Sequence, residues 1–167
     1  IAEENEGARD GSNVLANSAA ALVAVVAYAA SGTLGVDPLV FQFVFAGAVA
    51  AALADTFSSE FGGLFDSPRL ITTLDPVPAG TDGAVTWQGA LAGGVGAGLI
   101  AALAVGFFAF GPAAALVVLG TGFLGMVVDS VLGATLEGGR IGNQSVNLLA
   151  TLSAGVVAGV VAVASFV

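Results

Sequence analysis

Five long stretches of this chain carry almost no charge, and no other feature limits its fold as strongly. Residues 14–31 form a run of 18 without a charged side chain, and about 20 residues of helix cross the hydrocarbon of a bilayer. The same reading places further spans at 39–56, 89–110, 113–132 and 146–167. Composition agrees: apolar residues make up 57% and charged residues 9%, against roughly 25% charged in a soluble domain, and mean hydropathy is +1.00. The expected fold class is therefore all-α, a polytopic transmembrane helix bundle of about five spans forming one integral-membrane domain over 1–167. Because the chain opens on Ile1 and a polar segment without signal-peptide character, it is expected to be a fragment of a larger protein with spans upstream.

Between the spans, turn chemistry is plain. GTLGVDP over 32–38 and Gly111-Pro112 are short reversals, and Gly94/Gly98 and Gly155/Gly159 form GxxxG pairs that let membrane helices approach closely. The second run is short unless ADTFSSE continues its helix, which would put Asp55 and Ser59 on one face. Alternating spans place the start of the chain and the polar loops 55–88 and 133–145 on one side. Arg9, Arg69, Arg140 and eleven of the twelve acids then share that side, leaving Asp37 opposite. The positive-inside tendency makes the polar side cytoplasmic.

The net charge of -9, with three arginines and no lysine, excludes a nucleic-acid partner because nothing neutralises phosphates along a strand. An acidic chain without lysine suits a high-salt organism. With neither cysteine nor histidine, any catalysis must use carboxylates, hydroxyls, arginine, backbone groups or a bound metal. Those groups are concentrated in 55–83, which holds five acids, one arginine, seven hydroxyl residues and three of the five prolines. At the end of the fourth span Gly125, Asp129, Gly133 and Glu137 recur every four residues, a stripe in which glycines give access and carboxylates give charge. An intramembrane carboxylate needs a partner, and Asp55 occupies the equivalent depth on the same side. The pair can share a divalent cation, magnesium being expected from its preference for one or two carboxylates plus water and phosphate oxygens. Arg69 and Arg140 can bind phosphate, Thr72 and Thr73 supply hydroxyls, and Gly80, Thr81, Asp82 and Gly83 make a turn whose N–H groups can form an anion nest. This is no Walker A loop, having neither the spacing nor the lysine. Asn17 in VLANSAA, and Asn143 and Asn147 one helical turn apart, read equally as helix caps and interhelical hydrogen-bonding groups.

Taken together, VLAN, ADTFSSEFG, PRLITT with GTDGAVT, DSVLGATLE and the NxxxN of GNQSVNLLAT resemble the integral-membrane family of the transmembrane protein nineteen type, known as domain of unknown function ninety-two. That family includes the plant chloroplast phytyl-phosphate kinase, and the resemblance covers roughly residues 8–167. It implies a membrane-embedded phosphotransferase moving a phosphoryl group from a nucleoside triphosphate, CTP or ATP, to a prenyl monophosphate lipid, with magnesium. On the matching motif positions, Asp55, Glu60, Arg69, Asp129 and Glu137 are expected at the reacting centre. Asn17, Thr72, Thr73, Gly80–Gly83, Arg140, Asn143 and Asn147 are expected to hold substrate or nucleotide. The upstream span expected of the family is missing from this chain, and VLANS stands where glycine commonly follows the asparagine. Rival readings are an ion or small-solute transporter, which would carry polar residues at both membrane faces, and a non-catalytic membrane protein.

Overall fold

The computed structural model describes residues 11–137 and 139–167, so Arg9 lies outside the described residues. Its helices are α1 (Gly11–Ala29), α2 (Ser31–Leu34), α3 (Pro38–Gly62), α4 (Trp87–Phe108), α5 (Pro112–Leu136) and α6 (Asn143–Ser165), with two-residue strands β1 (Arg69–Leu70) and β2 (Ala84–Val85) between α3 and α4. All the helices except α2 are long and apolar enough to cross a membrane. The fold is an all-α polytopic bundle, the architecture in which each spanning segment satisfies its own backbone hydrogen bonds where lipid offers none.

Local chemistry sets the helix ends. Asp37 accepts the Leu39 N–H at 2.8 Å, and Pro38 follows it at the first helical position, where a missing N–H costs nothing. Pro112 opens α5 in the same way. Thr86 Oγ1 accepts the Gly89 N–H at 3.0 Å, which starts α4 where the hairpin stops. Helix α3 runs six residues past the apolar stretch, to Gly62, and α5 continues to Leu136. Hydropathy marks only the greasy middle of a span; the hydrogen-bond ladder continues through ADTFSSE and GATL because neither contains a proline to remove a donor.

Helix α3 is the hub, packed against α1, α4, α5 and α6, and 44% of its spanning window is buried against 17% for α1. It can be surrounded because its contact faces are small: Ala46, Ala48, Ala50, Ala51 and Ala54 are all buried. The facing helices match with glycine. A Cβ at Gly96 would stand 2.9 Å from the Leu53 carbonyl oxygen, and one at Gly155 3.1 Å from that of Val44. The Gly155/Gly159 pair thus packs on α3, whereas Gly94 and Gly98 do not pack on it: their nearest neighbours would be 4.0 and 3.9 Å away, on Phe123 and Leu119. The tight face of α4 is Gly89, Gly93 and Gly96 instead, about 150° round the helix from the expected pair.

The two ends of the bundle differ. Where α3 begins and α4 and α6 end, Phe43 stacks on Phe110 at 4.5 Å and lies 5.0 Å from Phe166, and Phe108 lies 5.5 Å from Phe110. Phe43 and Val118 are fully buried there. At the other end α1, α4 and α6 begin, α3 and α5 finish, and the helices splay around a polar cavity.

Candidate functional site

The cavity encloses about 400 Å³ and draws its lining from α1, α3, α5 and α6 and from the segment between α3 and α4, up to Thr86, the cap of α4. Its walls differ in chemistry. On one side stand Asp55 and Ser58 of α3, Asp129, Ser130 and Gly133 of α5, then Glu137; on another stand Asn13 and Asn17 of α1 with Asn143 and Asn147 of α6; Gly80–Gly83 and Thr86 close the top. Gln144 Nε2 donates to Ser12 Oγ at 3.1 Å, tying the starts of α6 and α1 together.

The Asp129 carboxyl lies within hydrogen-bonding reach of Asp55, across the α3–α5 contact. Two carboxyl groups at that separation repel unless a proton or a cation lies between them. Glu137, just beyond α5, is close enough to Asp129 to feel its charge. Burial, with Asp82 facing it, raises the Glu137 carboxyl above its ordinary value, and a hydrogen bond with Asn143 pulls the other way. Asn143 Oδ1 in turn accepts from Asn147 Nδ2 at 3.1 Å, and Asn147 is only 7% exposed. The NxxxN spacing therefore works as a two-amide brace on α6 that orients Glu137, with the buried member fixing the outer one.

The 80–83 turn is held against α5 rather than standing free. Gly83 has φ 74, and a Cβ on it would run into Ala134 and stand 2.5 Å from the Ser130 carbonyl oxygen. Gly133 is the other half of this contact, since a Cβ there would stand 3.0 Å from the Gly83 nitrogen. Both the Thr81 N–H and its hydroxyl turn back to the Pro78 carbonyl, at 3.3 and 2.8 Å. Ile71 N–H donates to the Gly83 carbonyl at 3.0 Å, so β1 and β2 press the turn down on the helix. Asp82 is delivered to the cavity wall by this clamp.

Of the residues singled out from the sequence, the cavity brings together Asn17, Asp55, Gly80–Gly83, Asp129, Glu137, Asn143 and Asn147. It does not take in Glu60, Arg69, Thr72, Thr73 or Arg140, which are all exposed at the same end of the molecule. Arg69 Nη1 donates to the Leu74 carbonyl at 2.7 Å within its own hairpin. Among the described residues, every charged group lining the cavity is thus a carboxylate. Ser59, expected on one face with Asp55, lines it too, as do Asn13, Ser58, Thr86 and Ser130, which were not singled out. Ser58 and Ser130 each have a sequence signal, lying next to a motif carboxylate or three residues beyond it. Asn13 lies one turn before Asn17 and carried the same signal.

Among the described residues no group of three or more acids gathers as a ready-made metal cage. The donor set fits an ion that takes one or two carboxylates and fills its remaining positions with water and phosphate oxygens, which is how magnesium is usually held.

A family model described as Integral membrane protein DUF92 matches residues 1–155. The chain is 40% identical over 157 residues to an uncharacterized membrane protein of Methanocaldococcus jannaschii, covering 92% of this chain and 62% of that protein. It is 36% identical over 145 residues to an uncharacterized membrane protein of Synechocystis, covering 82% and 53%, and 39% identical over 116 residues to Protein PGR of Arabidopsis thaliana, covering 54% and 36%. The chain thus spans under two thirds of the length of each of these relatives. No solved structure matches it. Five apolar helices around a one-ended polar cavity, with the family's motifs lining much of it, agree with these matches: the chain belongs to the Integral membrane protein DUF92 family.

Proposed function

We propose that the cavity is the active site of a membrane-embedded phosphotransferase that passes a phosphoryl group from a nucleoside triphosphate to a prenyl monophosphate on the cytoplasmic face. The observation that carries this reading is the contact between Asp55 and Asp129 inside a cavity whose charged lining is all carboxylate. Such a lining repels a bare polyphosphate and attracts it only through a cation. Asp55 and Asp129 are the groups to hold magnesium, which when bound supplies the positive charge that offsets the phosphate oxygens.

The residues themselves position and orient. Asn143 and Asn147 hold Glu137 at the wall, and the Gly80–Gly83 turn, clamped on α5, brings Asp82 and backbone N–H groups to the nucleotide side. Arg69 and Arg140, outside the lining, act on the approach of the anions rather than at the reacting atoms. The bond that forms joins a phosphate oxygen of the acceptor to the γ-phosphorus. The bond that breaks links that phosphorus to the β–γ bridging oxygen, so a nucleoside diphosphate leaves. An ionised monophosphate is already a nucleophile, so the transfer needs no protein base, consistent with a chain that has no histidine. The acceptor's hydrocarbon chain has a place among the apolar helix faces beside the cavity.

A cation transporter would use the same carboxylates but needs a route to the opposite face. The aromatic packing around Phe43 and the alanine-lined hub close the far half of the bundle, which favours a one-sided site.

The test is to incubate purified protein in lipid nanodiscs with γ-labelled CTP or ATP, magnesium and a panel of prenyl alcohols and monophosphates. Label appearing in a prenyl diphosphate, and lost in Asp55→Asn and Asp129→Asn, is the expected result. Transfer at the normal rate by either variant, or no product with any acceptor alongside cation uptake in sealed vesicles, overturns the proposal.

A further inference from the structure

The loop that roofs the cavity is unusually greasy for a connector. Phe61, Leu64, Phe65 and Leu74 are 49, 77, 44 and 61% exposed, and Trp87, which opens α4, is 70% exposed. A soluble loop would shed these side chains into water at a large cost in apolar area. The end of α3 meets the start of α4, where Gly62 packs on Gly89 and a Cβ on it would be 3.0 Å from Thr86 Oγ1, so the stretch 61–65 begins beside the start of α4 at Trp87. Phe61 is further paired with Phe57 at 5.5 Å.

The patch has a clear continuation. Down α4, Trp87, Leu91, Val95, Leu99 and Leu103 are all exposed at intervals of four residues. On a helix long and apolar enough to cross a membrane, that stripe is the face turned to lipid. Trp87 is its upper end, at the depth where indole rings collect at the headgroup boundary. The patch at 61–65 carries the same surface one step further round the cavity, and Phe65 belongs to both, being half-exposed while lining the cavity.

We propose that the connector from Phe61 to Leu74 lies in the headgroup layer of the protein's own membrane, so that the cavity opens at Phe65 onto the lipid–water boundary and not onto the aqueous phase. The occupant of the patch is lipid, by continuity with the lipid-facing stripe of α4. The inference does not depend on what reaction, if any, the cavity performs.

The chain contains no cysteine and a single tryptophan, so two clean probes are available. A Leu64→Cys variant carrying an environment-sensitive fluorophore, in nanodiscs of phosphatidylcholine and phosphatidylglycerol, is compared with Arg140→Cys labelled in the same way. The expected result at 64 is a blue-shifted emission, quenching by a spin label attached near the lipid headgroup, and loss of quenching by aqueous iodide, with the opposite pattern at 140. Native Trp87 fluorescence is expected to be quenched by lipids brominated high on the acyl chain. Iodide quenching at 64 as strong as at 140 overturns the proposal. Protection at 64 from both quenchers also overturns it, because protein, a second copy or another chain, would then cover the patch.

Discussion

Adding one methyl group to the 80–83 turn tests whether that turn is docked on α5 or merely passes over it. Gly80 and Gly83 both have positive φ, 82 and 74, but their surroundings differ: a Cβ at Gly80 meets nothing within 4 Å, whereas one at Gly83 meets the backbone of Ser130 and Ala134. Gly80→Ala should therefore cost only the strain of a left-handed residue, about 1–2 kcal/mol. Gly83→Ala should cost that strain plus an overpacking penalty of about 1–3 kcal/mol, because α5 backbone cannot move aside as a side chain would. The difference between the two variants, about 1–3 kcal/mol, isolates the docking contact. Unfolding midpoints in mixed detergent micelles, measured for both variants and wild type, provide the comparison. Equal destabilisation by the two substitutions would show that Gly83 is retained for its backbone angle alone, and the account of Asp82 as clamped to the cavity wall would fail with it.

Three further outcomes are expected. Glu137 has its folded carboxyl raised above the unfolded value by burial and by Asp82. Its contribution to stability is thus full below the unfolded value and lost as pH rises through the folded one; Glu137→Gln should stabilise the protein at neutral pH and leave it unchanged in acid, read as midpoint against pH. Asp129→Asn removes one of two carboxyl groups in contact, so it should raise the melting temperature without magnesium and abolish the magnesium-dependent rise, which for a site occupied at a hundredfold excess over Kd is about 2.7 kcal/mol. On α4, Gly96→Ala should destabilise by about 1–3 kcal/mol against the Leu53 carbonyl. Gly98→Ala, which meets only Leu119 Cδ1 at 3.9 Å, should be neutral or stabilise by about 0.5–1 kcal/mol through helix propensity, in the same micelle assay.

Much of the molecule was legible in one dimension. Uncharged runs of this length leave lipid as the solvent, and lipid leaves the helix as the open form of backbone, so the all-α class and five spans follow from hydropathy. Span direction follows by alternation, which puts residues 55, 82, 129 and 137 at one end before any packing is considered. What alternation cannot do is set rotation about each helix axis. In a helix as rich in glycine and alanine as α4, no polar face marks the phase, so the equally spaced pairs Gly89/Gly93 and Gly94/Gly98 read alike; only the backbone of α3 at Ser58 and Ala54 distinguishes them.

The same division runs through the cavity. Sequence by itself determined that the polar groups sit at one membrane boundary, because a carboxylate in hydrocarbon is costly wherever the chain places it. Tertiary structure alone decided which of them converge. Arg69 is spent on the Leu74 carbonyl of its own hairpin, Glu60 and Arg140 are exposed outside the cavity lining, and Asn13 and Ser130 line the wall. The reason is that the direction of a side chain near a helix end depends on how neighbouring helices are turned and how the loop is pinned. Here both were set by contacts between glycines and backbone far apart in the chain, such as Gly83 on Ser130 and Gly96 on Leu53.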